Sequence, residues 1–119
     1  SLIASDGSAN LYFLDDDFRT ARKLNVRLNG RPANDLNELE YIDGKIWANV
    51  YLTDLIVIVN PAHGNVEATV DCSGLLPSRL RYDDTDVLNG IAYNPQNGKI
   101  YLTGKNWCRL YEIKLVEVK

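Results

Sequence analysis

Two asparagines, a lysine and two aromatic residues stand at positions where a chain of strands would expose chemistry. Asn37 and Asn89 each open an apolar, strand-like run, Tyr51 closes one, and Lys105 and Trp107 sit in the polar turn after another. A carboxamide donates and accepts hydrogen bonds in one plane, which suits recognition of another amide. Lys105 supplies a positive charge, and Tyr51 and Trp107 supply flat apolar walls. Each has a structural reading too. Asparagines at strand starts bond nearby backbone, loop lysines are solvated, and Trp47 and Trp107 serve equally as packing. Asp6 in SDGS reads as a turn former, as does His63, the single histidine, in Pro-Ala-His-Gly. Glu38 and Glu40 alternate with apolar neighbours and read as exposed or paired. Cys72 and Cys108 form no close pair and read as small buried hydrophobes, with a disulfide as the alternative. One histidine and no matching thiol spacing leave no His/Cys zinc site to assemble from these residues.

The composition narrows the class of partner. The 119 residues are 45% hydrophobic and 24% charged, an ordinary globular balance. The net charge of −3 and a pI near 5.0 argue against a nucleic-acid groove, which needs a basic face. No apolar run approaches the length of a membrane-spanning helix. With no initiator Met and SLIASDGS reading as the end of a strand, the chain is expected to lack its natural N-terminus.

The elements that must position these groups are short strands. In 36–64, LNELEYI, KIWANVYL and LIVIV are separated by Asp43-Gly44 and Thr53-Asp54, and NVEATVDC follows. Asp-Gly between alternating segments is a strong hairpin signal. Alternation sends Ile46, Ala48 and Val50 to one face of the second run and Trp47, Asn49 and Tyr51 to the other. Related segments recur around Leu11, Leu55 and Leu110, 44 and then 55 residues apart, the second interval carrying an extra polar loop, PSRLRYDDTD; a period of about 40–50 residues is propeller-like. Helical spacing of apolar residues is not found. The expected architecture is therefore all-β, a β-propeller built from four-stranded meanders. Residues 1–33 form part of one blade, 34–80 a complete blade and 86–119 part of a third. Strands are expected at 1–5, 11–14, 21–28, 36–42, 45–52, 55–59, 66–71, 87–93, 99–103 and 109–115.

Strand direction then sorts the loops. Inner-strand starts and second-to-third-strand turns fall at one end of each blade, which gathers Asp6, Ser8, Asn37, Tyr51, Thr53, Asp54, Asn89, Lys105, Asn106 and Trp107. The other end collects turn formers: Asp43-Gly44, 61–64 and 95–98. A partial ring leaves sheet edges unpaired, so the chain is expected to associate with a missing part of its propeller or with copies of itself.

The ordered motifs SDGSANLYFLD, LNELEYIDGKIWANVYLTDLIVIVNPAHGNV and VLNGIAYNPQNGKIYLTGKNWCRLYEIKL resemble the plant- and bacterial-type glutaminyl-peptide cyclotransferases over nearly the whole chain. The resemblance implies a five-bladed propeller without metal or cofactor, acting on peptides with N-terminal glutamine in a secreted or periplasmic setting. Of the matching positions, Asn37 would bond the substrate, Tyr51 takes the place of a pocket-wall tryptophan, and Lys105 would act catalytically on the polar network or developing charge. Cys108 stands where the family has proline. Asn89, from strand position, and Trp107, as an aromatic wall, complete the candidate substrate-binding set. The family's proton-shuttling glutamate falls in an earlier blade, so a fragment without it is expected to be inactive. A non-catalytic peptide- or protein-binding propeller and a metal-dependent propeller hydrolase are the other readings, the latter needing convergent Asp, Glu and Asn ligands.

Overall fold

The Asp43-Gly44 pair sits between two strands with φ of +48° and +80°, the left-handed pair that a two-residue hairpin loop requires. A computed structural model describes residues 2–51, 53–73, 88–104 and 111–113, with backbone alone at Leu88 and Asn89. Every regular element among them is a strand. In chain order these are β1 (Leu2–Ser5), β2 (Asn10–Leu14), β3 (Thr20–Asn25), β4 (Arg27–Leu28), β5 (Arg31–Pro32), β6 (Leu36–Ile42), β7 (Lys45–Val50), β8 (Leu55–Val59), β9 (Val66–Asp71), β10 (Leu88–Asn94), β11 (Lys99–Gly104) and β12 (Tyr111–Ile113). They pair antiparallel as β1-β2-β3, β4-β5, β6-β7-β8-β9 and β10-β11-β12. The four-stranded meander is the blade unit, and the three-stranded sheets stand on either side of it.

Both faces of this central sheet are apolar, so each needs a neighbour. Ile46, Ala48, Val57 and Val59 pack with Leu11 and Leu24 of the preceding sheet and with Val26, just after its last strand. Trp47, Ile42 and Ile56 pack with Leu102, against Ile91, Ile100 and Ile113 of the following one. This is the face assignment that alternation predicts, and it makes Trp47 a packing residue, 4% exposed. Cys72 lies buried in the second cluster as a free thiol, as the hydrophobe reading requires. Cys108 is outside the described residues.

The segment 21–28, expected as one outer strand, is two. β3 ends at Asn25, and the Val26 amide turns inward to the Ala9 carbonyl at 2.8 Å. β4 and β5 then form a small hairpin around Asn29-Gly30, with φ of +53° and +79°. Asn-Gly is as strong a turn signal as Asp-Gly, but the apolar pattern of Leu24, Val26 and Leu28 masked it. The expected strand 45–52 is also shorter, because β7 stops at Val50 and Thr53 turns the chain. The Thr53 amide and hydroxyl both donate to the Val50 carbonyl, at 3.1 and 2.7 Å.

His63 is a turn residue, as read from the sequence: exposed, its Nδ1 accepts the Asn65 amide at 3.1 Å. The next residue, Gly64, joins two sheets. Its carbonyl accepts the Arg27 amide at 2.9 Å, and its φ is +86°. A Cβ here would stand 2.2 Å from the Asn25 carbonyl oxygen. Nearby, Arg22 stacks over the Phe13 ring at 4.8 Å and donates to the Pro61 carbonyl, tying the outer strand of one sheet to the turn of the next.

Gly64→Ala forces both a disfavoured φ and a backbone clash, and lowers stability by ~3 kcal/mol, whereas Gly98→Ala, with φ +70° but open space around it, loses only about 1 kcal/mol. Urea denaturation of the two variants measures the difference. Burial, with the Asp71 and Asp54 charges adding to it, pushes the Cys72 thiol up to about 11. The ordinary thiol value is about 8.5, so the fold favours the neutral form. That stabilisation is complete below pH ~8.5 and is lost as pH rises through about 11. Folded protein is therefore expected to resist alkylation at Cys72 at pH 8, and Cys72→Ala to flatten the alkaline decline in melting temperature.

Candidate functional site

Backbone hydrogen bonds bring three chain segments to one rim. The Leu36 amide donates to the Ser8 carbonyl at 3.3 Å, and the Tyr51 amide to the Asp35 carbonyl at 2.7 Å. The β1–β2 turn, the chain entering β6 and the chain leaving β7 therefore meet. Between them lies an open concavity of about 170 Å³ lined by Gly7, Asp35, Leu36, Asn37 and Tyr51. Asn37 and Tyr51, which the sequence assigns to one end of the sheets, thus share one surface. Asn37 is half-buried, and Tyr51 is 39% exposed.

The rim is built on irregular backbone. In β6, Asn37 pairs with Asn49 but Leu39 pairs with Ala48, so Glu38 is the extra residue of a bulge, with φ +46°. The Asn37 side-chain oxygen accepts the Glu38 amide at 3.0 Å within the bulge. Asp35, just before the strand, also has a left-handed φ, +64°. Such conformations cost about 1–2 kcal/mol at non-glycine residues and cluster where function fixes the backbone.

The neighbouring sheet repeats the device. Leu88 pairs with Gly104 and Ile91 with Leu102, leaving Asn89 and Gly90 opposite Thr103. The sequences are parallel: Leu36-Asn37-Glu38-Leu39 and Leu88-Asn89-Gly90-Ile91. Here glycine is required, because φ is +151° and a Cβ would lie 2.9 Å from the Thr103 methyl group. Asn89 is thus placed at a bulge matching that of Asn37. Gly104, the residue before Lys105, pairs beside it. Lys105, Asn106 and Trp107 themselves lie outside the described residues.

Among the other rim groups, Asp6 is a turn former, as its SDGS setting suggests. Its carboxylate accepts the Ser8 hydroxyl, the Ser8 amide at 3.0 Å and the Tyr12 hydroxyl at 3.1 Å. The Ser8 bonds, above all, hold it below the ordinary carboxylate range. Partial burial raises Glu40 on β6. Among the described residues, no three His, Cys, Asp or Glu side chains gather as a metal site would require.

Sequence reasoning did not single out Gly7, Asp35 or Asn49. Gly7 and Asp35 enter through loop geometry. Asn49 carried a signal: it is a carboxamide on the face of β7 that otherwise presents Trp47. It is fully buried, and its Oδ1 accepts the Gly90 amide at 3.1 Å across the gap between sheets. Its Nδ2 has no hydrogen-bond partner among the described residues.

Stacked antiparallel meanders with inner strands bulged toward a polar rim make this a propeller-type all-β protein. The sequence profile of the Glutamine cyclotransferase family matches residues 1–115, and the chain belongs to that family. It is 42% identical over 120 residues to the glutaminyl-peptide cyclotransferase of Arabidopsis thaliana, covering 97% of this chain and 37% of that protein. The crystal structure of Myxococcus xanthus glutaminyl cyclase superposes with a TM-score of 0.90 at 35% identity, covering 98% of this chain and 52% of that one. The chain therefore spans about a third to a half of the length of these relatives.

Proposed function

We propose that the protein carrying this chain is a glutaminyl-peptide cyclotransferase. The free α-amine of an N-terminal glutamine attacks its own side-chain carboxamide carbon. The new C–N bond closes a five-membered lactam, the bond to the amide nitrogen breaks, and ammonia leaves. Nucleophile and electrophile belong to one substrate, so the protein's task is to fold the side chain, shelter a neutral amine, stabilise the oxyanion and protonate the leaving nitrogen.

The observation that supports this reading is the shared concavity of Asn37 and Tyr51, in a chain of this family. An open pocket of that size suits a single terminal side chain. In this reading the Asn37 carboxamide bonds the substrate amide, and Tyr51 forms one wall, with its hydroxyl as an added polar group. Asn89 and Trp107 complete the binding surface. Lys105 offsets the charge that develops on the carboxamide oxygen. The proton-shuttling glutamate is assigned to the part of the full-length protein that this chain does not include. Residues 1–119 alone are then inactive and gain activity only with that part present.

The test is ammonia release from a glutamine-initiated dipeptide by the full-length protein. The wild type is expected to turn over, and Asn37→Ala and Lys105→Ala each to lose at least ~10-fold in kcat/KM with little change in urea midpoint. Tyr51→Phe retains most activity, and Tyr51→Ala raises KM. Binding of the dipeptide without turnover would favour a non-catalytic binding propeller. Losses in stability equal to those in activity would assign Asn37 and Lys105 to structure alone.

A further inference from the structure

We infer that Asn49 is a positioning residue: a buried carboxamide that pins the bulge at Asn89-Gly90 of one sheet to the strand paired with Asn37 in the next. Three independent observations converge on it. Asn49 is 0% exposed on a strand whose other buried residues are Ile46, Trp47 and Ala48. A buried amide among such neighbours is disfavoured unless its polar atoms are bonded, yet Nδ2 has no partner among the described residues. An apolar residue would fill the same place without that penalty. What the carboxamide does provide is an acceptor for the Gly90 amide, at 3.1 Å.

That amide belongs to the bulge, where two residues face Thr103 and the regular ladder is interrupted. Gly90 has the φ and close approach that only glycine tolerates, so its backbone is set with little freedom. On the other side, Asn49 is the register partner of Asn37. One buried side chain therefore spans the two inner-strand asparagines that open Leu-Asn-x-ϕ segments. It fixes the distance between their backbones beside the apolar cluster of Trp47 and Ile56, Ile56 being the register partner of Asn49 itself. A substrate held between two sheets needs that distance fixed, since displacements of about 1 Å at a reacting centre can lower rates ~100-fold.

The kinetic part of this inference rests on the cyclotransferase reading, and the structural part does not. The experiment compares Asn49→Ala, Asn49→Asp and Ile56→Val in the full-length protein. It measures folded fraction, kcat and KM per folded molecule, and hydrogen exchange at the Gly90 amide. Asn49→Ala is expected to lose ~10- to 100-fold in kcat with KM within about threefold, and to lose Gly90 protection. Asn49→Asp keeps an acceptor oxygen but buries a carboxyl group, so it is expected to lower the folded fraction while retaining Gly90 protection and kcat per folded molecule better than Asn49→Ala. Ile56→Val trims the same interface and leaves kcat per folded molecule unchanged. Unchanged kcat and protection in Asn49→Ala would overturn the proposal, and so would an equal kcat loss in Ile56→Val, which would make the effect one of packing. If the wild type shows no turnover, the cyclotransferase reading fails by itself. Gly90 exchange then decides the anchoring role: protection lost only in Asn49→Ala supports it, and protection equal in all variants refutes it.

Discussion

A sheet that is apolar on both faces cannot stand alone in water, and β6-β7-β8-β9 is such a sheet. Ile46 and Ala48 face one neighbour, and Trp47 and Ile56 face the other. Burying an isoleucine side chain such as Ile46 or Ile56 stabilises by roughly 1.5–3 kcal/mol, so two flanking sheets are drawn against it. Face-to-face stacking has a geometric consequence. The central meander is entered at β6 and turns from β7 to β8 at the same end as the β1–β2 turn. Asp6–Ser8, Asn37 and Tyr51 are thereby brought to one rim, although they are scattered through the sequence.

Away from that rim the hairpin turns follow local rules, although Phe18 also holds left-handed backbone at φ +60° and the β2–β3 and β8–β9 pairings each shift register. Asn29-Gly30 and Asp43-Gly44 adopt the turns their chemistry favours, and apolar alternation matches burial along β7 and β8. At the rim they are broken. Asp35 and Glu38 hold left-handed backbone, two inner strands carry bulges, and Asn49 is buried with one amide nitrogen unpaired. Function, rather than folding, can select residues that break local rules in this way. Their position in a chain of the Glutamine cyclotransferase family supports placing the substrate there.

The fold was largely legible because its signals are local. Period-two alternation and Asp-Gly gave the strands of the central sheet, and the spacing of its relatives gave the repeat. The break at Val26 was not legible, since an inward-turned Val26 and a strand Val26 look alike in an apolar pattern; only the bond to Ala9 distinguishes them. The bulges were hidden for a related reason. LNELEYI reads as near-regular alternation, and the extra residue is visible only in the pairing of Asn37 with Asn49 and Leu39 with Ala48. Of the candidate site, strand direction could place Asn37 and Tyr51 at one end. Gly7 joins them through the bond from the Leu36 amide to the neighbouring Ser8 carbonyl across sheets, and Asp35 through the Tyr51 amide bond that extends the β6–β7 pairing; no single-strand pattern encodes either.

The central claim is that the concavity beside Asn37 and Tyr51 receives the glutaminyl end of a peptide. The most direct measurement is a crystal structure of the full-length protein with a pyroglutamyl peptide bound. The account predicts the lactam ring against Tyr51, with its carbonyl or ring nitrogen within hydrogen-bond distance of Asn37. A ring bound at the opposite end, near Asp43-Gly44 and Gly98, would contradict it.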